Sequence, residues 1–108
     1  MQTEKIKELA ISALEDLKAN NITVLDVRKI TSIADYMIIC SARSTRHLKA
    51  VADAVLEKSK AHQHQPLGSD GNPNSGWILI DLNDVIVHVM LPETRTFYNL
   101  EKLWSTAE

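Results

Sequence analysis

Few of the 108 residues combine the types and spacings that chemistry needs. Cys40 is the single cysteine and stands inside the apolar run Tyr36-Met37-Ile38-Ile39-Cys40, where a thiol serves as a small hydrophobe rather than a nucleophile. His62 and His64 lie two apart in a Gly/Pro-rich stretch. A metal there would need a further ligand, and without one the pair reads as exposed loop histidines. Nucleotidyl and phosphoryl transfer need two carboxylates on one strand face to hold metal ions, and no Asp-x-Asp occurs in the chain. Asp81 and Asp84 straddle a hairpin end, Asp84 reading as a turn former and Asp81 as surface or partner-facing. No G-x-G-x-x-G, G-x-x-x-x-G-K-[ST] or G-x-S-x-G is present. These residues predict no catalytic group, no metal and no cofactor.

Arg43, Arg46 and Lys49 gather at the start of a predicted helix, where phosphate or RNA could be met. The chain carries 12 basic and 14 acidic residues for a formal net charge of -2, so this cluster reads as a solvated face. A broad basic surface for nucleic acid is excluded on the same ground. A single cysteine rules out an internal disulfide framework and suits a reducing compartment. No apolar run approaches the ~20 residues of a membrane span. The first residues lack an apolar signal core, and Glu4 and Glu8 argue against an acid-poor transit peptide, so a cytoplasmic protein is expected. At this length residues 1–108 are expected to form one domain with its own core.

The elements that would position these residues follow from periodicity. Ile6, Leu9, Ala10, Ala13, Leu14 and Leu17 form a helical stripe over 3–20, with Asn20-Asn21 as the stop. Residues 22–30 predict a strand, and the run 36–40 a central strand covered on both faces. Ser44 is a candidate cap for a helix over 44–60, with Leu48, Val51, Ala52, Val55 and Leu56 inward. Residues 61–76 hold every glycine and read as the main loop, with a short edge strand near Pro66-Leu67. Residues 77–82 and 85–90 predict a hairpin turning at Asn83-Asp84. From Pro92 a helix is expected through residue 104, its stripe being Phe97, Leu100, Leu103 and Trp104. The resulting order is α-β-β-α-(β)-β-β-α. It predicts an α/β (α+β) domain with a mixed sheet of four to five strands flanked by helices. Its strand–turn–helix at 36–60 has the layout of nucleotidyltransferases, but Ser41-Ala42-Arg43-Ser44 lacks the glycine such a turn carries.

The hairpin presents two faces. Ile78, Ile80, Leu82, Val85, Val87 and Val89 make the better core face. Trp77, Leu79, Asp81, Ile86, His88 and Met90 share the other. Large apolar residues mixed with one acid and one histidine suit an interface better than a solvent face. Periodicity leaves a second reading equally open, in which the last helix covers this face and Trp77 belongs to the core.

Residues 76–90, then Pro92-Glu93-Thr94-Arg95, then Phe97-Tyr98-Asn99-Leu100-Glu101-Lys102-Leu103-Trp104, closely resemble the Iojap family, the ribosomal silencing factors. Asp26-Val27-Arg28, Ser32-Ile33-Ala34-Asp35-Tyr36 and residues 44–53 fit the same family, so the resemblance covers nearly the whole chain. Met90-Leu91 stands where many members carry Phe-His. The resemblance implies a nucleotidyltransferase-like fold without its catalytic carboxylates. It implies a bacterial protein that binds the large ribosomal subunit, chiefly through the subunit's fourteenth protein. Held there, it would block joining of the small subunit and repress translation in starvation or stationary phase. Direct rRNA contact is expected to be minor or absent. The expected partner-binding residues are Trp77, Leu79, Asp81, His88, Met90, Pro92, Arg95 and Tyr98. Two competing classes are a degenerate nucleotidyltransferase that kept nucleotide binding, and a homodimer using the same sheet face.

Overall fold

The computed structural model describes residues 2–104. Its elements are α1 (Thr3–Asp16), β1 (Asn20–Asp26), β2 (Tyr36–Ser41), α2 (Thr45–Ala61), β3 (Gly68–Asn72), β4 (Trp77–Asp81), β5 (Val85–Met90), α3 (Pro92–Tyr98) and α4 (Leu100–Trp104). A 3₁₀ turn, Pro73–Ser75, joins β3 to β4. The five strands form one mixed sheet in the order β1-β2-β5-β4-β3. β2 and β5 pair in parallel, and every other pairing is antiparallel. The expected α+β class and strand number therefore hold.

The central pair β2 and β5 is buried along its whole length, as a continuous apolar run dictates. On one face, α1 and α2 lay Ile6, Ala10, Leu14, Leu48, Val51 and Val55 against Ile38, Ile80, Val85, Val87 and Val89. Each of the Val, Leu and Ile side chains removed from water contributes about 1.5–3 kcal/mol. On the other face α4 sets Leu100 beside Ile39 and Met90, and Trp104 packs against the same cluster. Val27, Ala34, Met37 and Ile86 continue that second core toward the other end of the sheet.

Several boundaries differ from the sequence reading. α1 stops at Asp16 because Lys18 takes a left-handed φ of 59°. The Ala19 and Lys18 N–H groups then donate to the Leu14 and Glu15 carbonyls, closing a Schellman end. α2 ends the same way, with Gln63 at φ 63° and bonds from His64 N–H to Ser59 O and Gln63 N–H to Lys60 O. Asn21 is left-handed as well, but it serves an irregularity in β1 rather than a helix stop. The edge strand lies at Gly68–Asn72, not at Pro66-Leu67. The last helix is two helices, broken where Asn99 adopts φ 51°. That break turns Leu100 into the core and leaves Phe97 and Leu103 outside it, 80% and 67% exposed.

Candidate docking surface

β4 alternates, so Ile78 and Ile80 point to the α1/α2 layer while Trp77, Leu79 and Asp81 stay half-buried on the opposite face. Along the adjoining edge strand, Asn72 pairs with Trp77, Asp70 with Leu79 and Gly68 with Asp81. Gly71 permits that pairing. Its φ is +93°, and a Cβ there would stand 2.2 Å from the Trp77 carbonyl oxygen. Gly76, at φ +77°, ends the 3₁₀ turn, and a Cβ would meet Thr94 Oγ1 at 2.5 Å. Its carbonyl accepts from the Leu91 N–H at 2.9 Å, so the start of α3 is fixed against the start of β4.

α3 consequently carries Tyr98 over Trp77, ring centres 4.9 Å apart and tilted by 49°. Phe97 meets Tyr98 edge-on at 5.0 Å. A cleft of about 300 Å³ opens beside this stack, lined by Asp70, Gly71, Ser75, Trp77, Leu79 and Tyr98. Trp77, Leu79 and Tyr98 are thus brought together as expected, while Asp81 lies on the same sheet face beyond the cleft. Asp81 also shapes the hairpin, its Oδ1 accepting from Asn83 N–H at 2.8 Å. The turn is made by Asn83 and Asp84 together, closed by the Leu82 N–H donating to the Val85 carbonyl, with Asn83 taking the left-handed φ of 80°. Asp84 also ties elements together, its carbonyl accepting from the Asp35 and Tyr36 N–H groups and its carboxylate from the Thr3 hydroxyl.

Four of the expected contact residues lie elsewhere. Met90 is fully buried between Ile39 and Leu100, because α4 covers this end of β5. His88 is 4% exposed and sits behind Trp77, its Nδ1 accepting from the indole Nε1–H at 3.1 Å. Arg95 is a clamp. Its guanidinium donates to both Glu101 carboxylate oxygens at 2.9 Å, to Ser41 Oγ at 2.9 Å and to Thr23 Oγ1 at 3.0 Å. That pairing holds the Glu101 carboxyl below its usual range. Pro92 is exposed at the rim of a separate polar cleft that Arg95 also lines. The covering-helix reading therefore holds for β5 and the open-face reading for β4.

Phe97 and Asp70 are the surface residues that sequence reasoning missed. A buried stripe through Phe97 needs one uninterrupted helix, and Asn99, which breaks it, is the available signal. Asp70 belongs to a segment of turn-like composition, and nothing local marks it as facing Trp77.

The other candidates resolve simply. Cys40 is buried and its thiol is pushed up to about 12 by that burial, the state of a core residue. His62 is exposed, but His64 is not a free loop histidine, since its Nε2 bonds the Leu82 carbonyl at 2.8 Å. Among the described residues no group of three His, Cys, Asp or Glu side chains is placed to hold a metal ion. No helix there is long and apolar enough to cross a membrane. Arg43 and Arg46 are exposed at the start of α2, which packs on the face away from Trp77, and Lys49 pairs with Asp53 at 2.8 Å.

Burial holds the His88 imidazole neutral, with its pKa lowered from 6.5 to about 4. The unfolded chain therefore binds this proton first as pH falls. The stability linked to His88 is complete above about pH 6.5 and is lost progressively toward about pH 4. Urea unfolding at pH 7.5 and 5.5 should differ by on the order of 1 kcal/mol more in the native chain than in a His88→Leu variant. Equal pH slopes would mean that His88 is not shielded from water.

Comparison with known proteins adds four findings. The family model described as "Ribosomal silencing factor during starvation" matches residues 1–108. The ribosomal silencing factor of Chromobacterium violaceum is 43% identical over 104 residues, covering 96% of this chain and 85% of that protein. A crystal structure of a Chromobacterium violaceum protein superposes with a TM-score of 0.94 at 41% identity, covering 100% of this chain and 91% of that one. A mouse protein named for mitochondrial assembly of the ribosomal large subunit is 35% identical over 104 residues, covering 91% of this chain and 44% of its own length.

Proposed function

Since this chain belongs to the ribosomal silencing factor family, we propose that it docks on the large ribosomal subunit and sterically blocks joining of the small subunit. The fourteenth protein of the large subunit is the chief partner, and the docking surface is the open face of β4 with α3. One observation carries this reading. Trp77, Tyr98 and Phe97 form a continuous aromatic stack, with Tyr98 52% and Phe97 80% exposed, on a sheet whose central strands β2 and β5 are buried. A half-buried Trp and an exposed Tyr around a shaped cleft have the composition of an interface hot spot. The large-subunit wording in the mouse relative's name supports the same partner.

A steric block needs no bond making. It needs an interface that survives long enough to keep the subunits apart. Asp81 and Asp70 add negative charge beside the aromatic stack, which favours a basic protein surface and raises the rate of productive encounter. A net charge of -2 keeps the chain from adhering to rRNA at large. The blocked joining would repress translation under nutrient limitation, in the bacterial cytoplasm.

The test mixes isolated large subunits with the protein, adds small subunits, and separates the products on a sucrose gradient. The protein should co-sediment with large subunits and lower the yield of joined ribosomes at fixed subunit concentration. An unchanged yield at saturating protein would overturn the steric reading.

A further inference from the structure

We propose that His88 is a positioning residue for docking, its buried imidazole fixing the Trp77 indole in the orientation that the partner meets. The proposal rests on the docking reading above and adds a residue that touches no partner. His88 is 4% exposed, so it cannot itself be a contact in this arrangement. Its Nδ1 accepts from Trp77 Nε1–H at 3.1 Å, with the rings 5.8 Å apart. Tyr98 packs on the same indole at 4.9 Å. Trp77 is therefore held between one buried and one exposed ring, and the only directional bond in that sandwich comes from His88.

The chemistry of the position supports the assignment. To accept at Nδ1, the neutral ring must carry its proton on Nε2. That Nε2 is buried and has no hydrogen-bond partner among the described residues. A buried N–H left unpaired opposes folding. On the same strand face the neighbours are Ile86 and Met90, and an apolar side chain would suit position 88 better on packing grounds alone. What histidine supplies there is the acceptor for the indole. Preorganising an aromatic anchor reduces the ordering cost of binding, so freeing Trp77 should weaken docking without loosening the fold.

The experiment compares the native chain with His88→Leu and His88→Asn. Asparagine Oδ1 occupies much the same place as histidine Nδ1 and keeps an acceptor within reach of the indole; leucine fills the space without one. Three readouts are taken: the Trp77 Nε1–H resonance, assigned through Trp77→Phe, the melting temperature, and the affinity for isolated large subunits. His88→Leu should move the indole resonance upfield and speed its exchange with water. It should melt no lower than the native chain and bind about tenfold more weakly. His88→Asn should keep the resonance near its native place and bind within about threefold of the native chain. An indole resonance unmoved by His88→Leu would overturn the proposal, as would native affinity in spite of a moved resonance. A binding loss that tracks a fall in melting temperature in both variants would reduce His88 to a packing residue. Failure of the native chain to bind large subunits would overturn the docking reading, while the resonance would still report whether His88 orients Trp77.

Discussion

Trp77→Ala is expected to weaken binding to large subunits about thirtyfold, or about 2 kcal/mol, while the domain stays folded. Both halves of that expectation come from the position of the indole. Trp77 is half-buried, one side against the Met90–Leu100 cluster and the other beneath Tyr98. Truncation removes the base of the aromatic stack and the wall of the cleft beside it. A fully buried tryptophan would cost about 3–5 kcal/mol of stability on truncation, enough to threaten a domain this small, but Trp77 is not in that position. Val87→Ala is the matched control. Val87 is fully buried on the opposite face of β5, in the core beneath α1 and α2. It should lose about 1–3 kcal/mol of stability and leave the affinity of the folded protein unchanged. Urea unfolding and subunit co-sedimentation on both variants separate the roles. A Trp77→Ala chain that binds normally, or a Val87→Ala chain that is stable but cannot bind, would place docking on some other surface.

Which parts of this arrangement could be read from residues alone depends on whether the deciding force is local. The runs 36–40 and 85–90 are apolar enough to demand burial, and the stripe from Ile6 to Leu14 fits only a helix, so these elements follow from pattern. Ser44 as a helix cap is equally local, and its hydroxyl does accept from the His47 N–H at 3.1 Å. Lys18 and Gln63 carry no bias toward the left-handed region, yet both helices end on them, because the chain must turn back onto the sheet there. β3 is a still clearer case. Gly68-Ser69-Asp70-Gly71-Asn72 has the composition of a turn, and it extends only because the edge of β4 offers it a ladder of backbone partners. The proposed docking face is half visible in the sequence for the same reason. Alternation correctly placed Trp77, Leu79 and Asp81 opposite Ile78 and Ile80. It could not reveal that α4 folds back over Met90, since that depends on the left-handed backbone at Asn99, which lies outside β5 altogether.

Arg95→Ala should lower stability by about 3 kcal/mol, the largest loss expected from any single charged residue of the site. The side chain of Arg95 is 11% exposed and that of Glu101 36%, so the pair lies between surface and interior. Exposed ion pairs contribute about 0–1 kcal/mol, whereas breaking a buried one costs about 3–5 kcal/mol. A two-pronged pair in this intermediate setting is worth about 2 kcal/mol. The hydrogen bonds to Ser41 and Thr23 add about 1 kcal/mol more, because Ser41 is buried and its hydroxyl would lose that donor. In a chain of this size the loss corresponds to a fall in melting temperature of roughly 10–20 °C. Lysine cannot restore the effect, since one ammonium group cannot span two carboxylate oxygens and two hydroxyls that a planar guanidinium reaches together. Arg95→Lys should therefore recover less than half of the lost stability. The consequence for function is indirect but definite. Arg95 lies on α3, three residues before Tyr98, and anchors that helix to β1 and β2 through Thr23 and Ser41. Releasing it should let α3 drift, so binding weakens in proportion to the lost order and returns when the temperature is lowered. Had Arg95 been a direct contact with the partner, the alanine variant would instead melt like the native chain and bind poorly at every temperature. Calorimetry and co-sedimentation at two temperatures decide between the two.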